Sequence, residues 1–233
     1  MEQTILITGA SRGIGLELAR RCVDAGWRVL ACCRQPQAAT ELTDLVKQSG
    51  GLVQVHPLDV TDDEQLRQLS ERLKDEVIDI LFNNAGIAGS KGRQRFGEVP
   101  VEEWLELFRV NAIAPWKVAE AFVGQVERSG HKVIATMGSL LGSIADNGSG
   151  GQVCYRSSKA AAHMVAKTMA VELAPRGITS VVFNPGWVRT DMGGVQAPIL
   201  PAESAAGLHR VLEGLTPADS GRFLSFEGKD LPW

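Results

Sequence analysis

Short apolar runs alternate with longer segments of helical period along the whole chain. Thr4 to Thr8 (T-I-L-I-T) reads as a buried strand, after which Leu16, Leu18, Ala19, Cys22 and Val23 mark a helix that ends near Ala25-Gly26, where glycine can cap it. Trp27 to Cys33 reads as a second strand, 39–49 as an exposed helix and Leu52 to Pro57 as a third strand. A helix over 62–74 follows, with Thr61 as its cap and Glu64 completing a capping box. Ile78 to Phe82 is a fourth strand, 88–100 a polar loop, and Val101 to Arg128 one long helix with Pro115 inside it. His131 to Met137 is a fifth strand, and a helix carrying Tyr155 runs on to Leu173. Gly177 to Phe183 is a sixth strand, 191–202 a glycine- and proline-marked loop, Glu203 to Leu212 a helix and Arg222 to Phe226 a last strand. This alternation predicts an α/β fold: a doubly wound parallel sheet of about seven strands with helices on both faces.

The 233 residues fit one domain, with no linker and no repeat, so no separate substrate domain is expected. With 44% hydrophobic and 22% charged residues and a formal charge of -3, the composition offers no electrostatic footprint for nucleic acid. No apolar run approaches the roughly 20 residues that a membrane helix needs. The first residues lack a basic segment and a cleavage site, so no secretory signal is expected. Cys22, Cys32, Cys33 and Cys154 show no C-x-x-C spacing, which fits reduced thiols in the cytoplasm. His56, His131, His163 and His209 are scattered without ligand spacing; no metal site is expected, and each is read as structural or surface.

Chemistry enters at the strand ends. Gly9-Ala10-Ser11-Arg12-Gly13-Ile14-Gly15 joins the first strand to the first helix, where glycines let the backbone approach a pyrophosphate and the helix N-terminus stabilises its charge. The spacing is G-x-x-x-G-x-G, and no lysine follows to grip a γ-phosphate. At the end of the second strand, where an acid would hold ribose hydroxyls, stands Arg34, with Arg12 close by in the glycine turn. Either arginine alone could be a solubilising surface charge; together, with no acid available, they favour NADP(H). Asn83-Asn84-Ala85-Gly86 closes the fourth strand with small residues that admit a flat ligand. Pro115 has no N–H to give the carbonyl of Asn111, which is left to hold a water or simply marks a kink that improves packing. Ser139 follows the fifth strand, at the end where ligands bind in open sheets. Tyr155, the only tyrosine, lies four residues before Lys159, on one helical face. Two readings are open: a packed Tyr beside a solvated Lys, or a phenol whose pKa, ordinarily about 10, is lowered by the ammonium into an acid/base.

The segments T-G-A-S-R-G-I-G at 8–15, N-N-A-G at 83–86, Asn111, Ser139, Y-R-S-S-K at 155–159 and N-P-G-W-V-R-T at 184–190, in this order, resemble the short-chain dehydrogenase/reductases. Y-R-S-S-K-A-A, G-S-L-L-G-S-I and the L-P-W ending are most similar to the C-factor (C-signal) and sniffer-type carbonyl reductase subgroup. The resemblance implies a Rossmann-like fold and an NADP(H)-dependent oxidoreductase acting on a carbonyl or secondary alcohol. It implies Tyr155 as general acid/base, Lys159 binding the nicotinamide ribose and lowering the Tyr155 pKa, Ser139 bonding the carbonyl oxygen, and Asn111 holding a relay water. Gly9, Ser11, Arg12, Gly13, Ile14 and Gly15 would hold the phosphates, Arg34 the 2′-phosphate, and Asp59 and Val60 the adenine end. Asn84, Ala85, Gly86, Pro185, Gly186, Val188 and Thr190 would line the cofactor's ribose and nicotinamide. The Ser139 to Tyr155 interval is longer than the family's usual one and rich in Gly and Ser.

A second reading from another class is a nucleotide-bound signalling or scaffold protein, which the C-factor resemblance suggests. A hydrolase is disfavoured, since there is no G-x-S-x-G elbow. Apolar stripes on the Asn111 and Tyr155 helices fit the homodimers and homotetramers usual in that family. Loops 88–100, 140–153 and 191–202 would shape the substrate pocket.

Overall fold

The computed structural model describes residues 3–90 and 94–233. Part of the 88–100 loop, residues 91–93, therefore lies outside the described residues. Seven parallel strands form one sheet: β1 Thr4–Thr8, β2 Arg28–Cys33, β3 Val53–Pro57, β4 Ile80–Asn83, β5 Val133–Met137, β6 Thr179–Asn184 and β7 Phe223–Ser225. Their spatial order is β3-β2-β1-β4-β5-β6-β7, so the winding reverses between β1 and β4. Ligands bind at the carboxyl ends of strands flanking such a reversal.

The strands bury both faces with a period of two. Ile5 and Ile7 of β1 face one core cluster while Leu6 faces the other, and Ile80 and Phe82 of β4 oppose Leu81 in the same way. The first cluster lies under α1 (Gly13–Asp24), α2 (Thr40–Gln48) and α7 (Pro201–Glu213). The second lies under α3 (Asp63–Arg72), α5 (Ala114–Glu127) and α6 (Val153–Glu172). Phe82, Phe122 and Phe183 are among the largest fully buried side chains, and burial of each ring contributes roughly 1.5–3 kcal/mol. This is the three-layer, Rossmann-like α/β/α fold.

Three local elements differ from the pattern. Asp62, not Thr61, caps α3, its Oδ1 accepting the amides of Glu64 and Gln65 at 3.0 Å each. Thr61 instead donates its N–H and hydroxyl to Asp59, so its oxygen is not aimed at the helix. The single helix expected over Val101 to Arg128 is two, α4 (Val101–Phe108) and α5, joined by a π turn over Arg109–Ile113. Pro115 has no N–H with which to complete an α turn on Asn111; the chain widens just before it, and the Ala114 N–H reaches back five residues to the Arg109 carbonyl. The 191–202 loop stops at Leu200, because Pro201 is a favoured first helical residue and opens α7.

Trp233 is docked. Its carbonyl accepts the Ala145 N–H at 2.9 Å, and its ring lies against His163 and Phe223. No helix among the described residues is long and apolar enough to cross a membrane.

Candidate active site

The glycine turn after β1 lies directly against the end of β4. A Cβ on Gly15 would stand 2.6 Å from the Gly9 carbonyl oxygen and 2.5 Å from Asn84 Nδ2, and one on Gly9 would stand 2.9 Å from Ala85 Cα. Only glycine fits this approach, and Gly9 also takes a left-handed φ of +68°. Thr8 ties the two strand ends, its Oγ1 accepting the amides of Asn84 and Ala85 at 3.1 Å. Asn84 Nδ2 donates to the carbonyls of Thr8 and Gly9. Its amide nitrogen is therefore spent on the glycine turn. Ile14 packs partly against the core beneath α1.

Beside this turn is a cleft of about 810 Å³ whose walls include Ser11, Arg12, Arg34, Thr40, Asp59 and Gln65. Four residues assigned to the cofactor from sequence thus share one cavity. Arg12 meets Asp191 at 3.1 Å, a mostly exposed pair of the kind that contributes little and yields readily to another anion. Burial opposes ionisation of Asp59, but the two donors from Thr61 and the Arg34 and Arg109 guanidiniums outweigh it and hold the carboxyl below its usual range. Val60, the next residue, is half-buried against the second core cluster.

The residues assigned to catalysis meet at the ends of β4 and β5. Lys159 is buried, its Nζ donating to the Met137 carbonyl at 2.8 Å. Nζ lies 5.9 Å from the centre of the Tyr155 ring, one helical turn back on α6. Loss of water lowers the Lys159 pKa to about 8. Burial likewise pushes the Tyr155 phenol up, and the Ser139 hydroxyl, bonded to it, works in the opposite direction. The sequence leads to the expectation of a phenol lowered by its lysine; here desolvation of the ring outweighs the Ser139 hydrogen bond and the phenol is raised. Ser139 sits in extended backbone after β5, where the short 3-10 turn Leu140–Gly142 begins, and its Oγ accepts the Leu141 N–H at 3.2 Å.

Asn111 is in the π turn, and its side chain clasps Ile87: Oδ1 accepts the Ile87 N–H at 2.9 Å while Nδ2 donates to the Ile87 carbonyl and to Ser158 Oγ. Gly86 fills the space between, since a Cβ there would stand 3.2 Å from Asn111 Oδ1 and 3.4 Å from Lys159 Nζ. The 185–190 segment folds over the glycine turn, with the Thr190 methyl 3.3 Å from where a Gly13 Cβ would be. Gly186 takes a left-handed φ of +82°, where a Cβ would be strained and would displace the Ile199 Cδ1 methyl, 2.4 Å away. Pro185 accepts the Ser204 hydroxyl, and buried Val188 bridges to Ile199.

Three residues were not found from sequence. Gln94 holds the start of α6, its Oε1 accepting the Tyr155 N–H at 2.9 Å and its carbonyl the Val153 N–H at 3.2 Å. Nothing in the pattern marks it, because the contact spans sixty-one positions. Asn184 Oδ1 accepts the Leu140 N–H at 3.1 Å. His163 accepts the Ser139 N–H, and its spacing from Lys159 was the signal available. A larger cleft of about 960 Å³ opens beside Tyr155, its walls including Ala88, Phe96, Leu141, Val153, Arg156 and Met192. Ala88, Leu141 and Val153 also pack against the Tyr155 cluster, and all three predicted loops contribute.

A family model for short chain dehydrogenase matches residues 3–198. The chain belongs to the short-chain dehydrogenases. This makes it an oxidoreductase of that family. Among relatives, the C-signal protein of Myxococcus xanthus is 38% identical over 156 residues, covering 67% of this chain and 93% of its own. The solved carbonyl reductase Sniffer of D. melanogaster superposes with a TM-score of 0.93 at 31% identity, and an NADPH-bound carbonyl reductase from chicken fatty liver with 0.91 at 32%. Each covers the whole of this chain, and the coverage of those chains is 100% and 99%. The subgroup resemblance read from the motifs is thereby borne out.

Proposed function

We propose that this short-chain dehydrogenase is an NADP(H)-dependent carbonyl reductase, acting on an aldehyde or ketone or, in reverse, on a secondary alcohol. The observation that carries the reading is the convergence of Tyr155, Ser139 and buried Lys159 at the strand ends, beside a cleft large enough for a small organic substrate.

The residues present fit the cofactor. The turn before α1 carries no side chain at Gly9, Gly13 or Gly15 to cover the N-terminus of that helix, and the arginine-walled cleft beside it suits a 2′-phosphate on Arg34 beside Arg12. The carbonyl reductase of chicken with NADPH bound supports the same choice. When bound, the cofactor supplies a hydride to the carbonyl carbon. Tyr155 gives its proton to the oxygen on which charge develops, and the Ser139 hydroxyl donates to that oxygen. Fixed donors of this kind typically contribute about 3 kcal/mol each. A phenol raised by burial stays protonated near neutral pH, which suits an acid in the reducing direction. Lys159 orients the ribose from beside the phenol, while Asn111 holds Ile87 in place and leaves its carbonyl beside Pro115 for a relay water. Asp59 and Val60 take the adenine end; Ser11, Gly13 and Ile14 the phosphates; Ala85, Pro185, Val188 and Thr190 the ribose and nicotinamide.

The whole chain acts as one NADP(H)-binding unit. Exposed Leu105, Ile113, Met164 and Val171 on α4, α6 and the turn between α4 and α5 support association with a second copy, and four free cysteines support a reducing, cytoplasmic setting. The test is a panel of aldehydes, ketones and quinones read by NADPH absorbance. Tyr155→Phe should keep NADPH binding and lose turnover with every active substrate; unchanged turnover removes Tyr155 from the reaction. Tight NADPH binding with no turnover across the panel would favour the signalling reading instead, which the likeness to C-signal supports.

A further inference from the structure

His163 extends the face of α6 that carries the reacting groups. Tyr155, Lys159 and His163 follow at intervals of four, so one rigid helix presents all three to the end of β5. The imidazole is buried and accepts the Ser139 N–H at Nε2, 3.3 Å away. The turn is moulded to the ring: a Cβ on Gly138 would lie 2.5 Å from Nε2, and one on Gly142 2.8 Å from Cε1. On its other sides His163 meets Phe223, with ring centres 4.4 Å apart, and Trp233 edge-on at 5.9 Å.

The other amides of this turn are held as well. The Gly138 N–H goes to the Phe183 carbonyl, that of Leu140 to Asn184 Oδ1 and that of Leu141 to the Ser139 hydroxyl. Ser139 is the one whose amide is held from α6. A phenylalanine or leucine would fill the space against Phe223 and Trp233 without leaving a buried nitrogen, yet His163 Nδ1 has no partner among the described residues. The arrangement thus carries a cost that packing alone does not explain. Resting on the carbonyl reductase reading, we propose that His163 is a positioning residue: by accepting the Ser139 N–H at Nε2 it aims the Ser139 hydroxyl at the oxygen shared with Tyr155. Burial first, and then the Lys159 ammonium one turn away, push the His163 pKa down to about 3, so the ring remains an acceptor.

The test compares His163→Leu, which removes the acceptor, with His163→Gln, whose amide oxygen can replace it, in NADPH-loaded protein. His163→Leu should lower kcat about 10- to 100-fold with KM for NADPH little changed, and His163→Gln should recover most of it. A second readout needs no turnover. Since Tyr155 is the only tyrosine, tyrosinate absorbance reports it alone. His163→Leu should move that titration to higher pH, because the phenolate loses its Ser139 donor, and His163→Gln should return it. Wild-type kcat and titration in His163→Leu, or an equal loss in both variants, would overturn the proposal. Should His163→Leu fail to fold, nitrogen NMR of the wild-type imidazole decides the same point. A ring protonated on Nδ1 supports the contact, and one protonated on Nε2 sinks it. A wild type inert toward every carbonyl would overturn the reductase reading, while the titration and the tautomer would still decide the role of His163.

Discussion

Lys159 Nζ donates to the Met137 carbonyl at 2.8 Å, a buried ammonium held by the backbone two residues before Ser139. A cation so placed is a local liability that the fold carries for its site.

Its removal should therefore stabilise the protein. The folded pKa of Lys159, about 8, lies below its ordinary 10.5, so between those values the unfolded chain binds more protons and stability rises with pH. Below about 8 both states are charged and the folded state carries the full desolvation cost. Lys159→Met, similar in length, should raise stability at pH 7 by on the order of 2 kcal/mol, measured by denaturation without added nucleotide. The advantage should shrink as pH climbs above 8, and turnover should be lost. A variant less stable than wild type at pH 7 would refute the assignment of a net burial cost.

Gly15 and Gly130 make a matched pair. A Cβ at Gly15 meets the Gly9 carbonyl oxygen at 2.6 Å, whereas at Gly130 nothing lies within 4 Å. Gly15→Ala should cost about 1–3 kcal/mol in denaturant midpoint and weaken nucleotide binding, because backbone cannot give way cheaply. Gly130→Ala should fall within about 1 kcal/mol of wild type, on the stabilising side.

Arg34 is expected to choose between nucleotides. Arg34→Ala should weaken NADPH binding about 10- to 100-fold, the loss of one or two charged hydrogen bonds, and leave NADH nearly unchanged. Fluorescence titration of both cofactors checks this, and equal losses for the two would place Arg34 away from the 2′-phosphate.

Gln94 supplies from a distant loop what the helix N-terminus lacks locally. Gln152, at the start of α6, has a left-handed φ of 49° and makes no side-chain cap, while Gln94 Oε1 takes the Tyr155 N–H. Gln94→Ala should cost about 1–2 kcal/mol and lower kcat more than KM for NADPH, since the amide it frees belongs to Tyr155 itself. A loss confined to stability would mean that Gln94 supports the helix without aiming its tyrosine.

Most of the fold was legible because its elements are local. Strands of three to six residues, most of them buried, and helices with one apolar face leave a period that needs no partner to be read, and their alternation implies a parallel sheet. The glycine turn and the Tyr155 and Lys159 pair were legible for a related reason, since their chemistry depends on spacings within one turn or one helix. Where side chains compete, the reading failed: Asp59 takes the Thr61 hydroxyl, and the cap of α3 passes to Asp62.

Tyr155 and Lys159 therefore stand differently at the end than their spacing suggested. By itself the sequence determined that they share a helical face and that a nucleotide turn, an arginine and Ser139 follow the first, second and fifth strands. Only the tertiary structure decided that both groups are buried deeply enough for desolvation to raise the phenol and lower the lysine. It alone brought Gln94 to the head of their helix and His163 beneath Ser139. Burial and long-range contacts depend on what the rest of the chain places around a residue, and no local spacing carries that information.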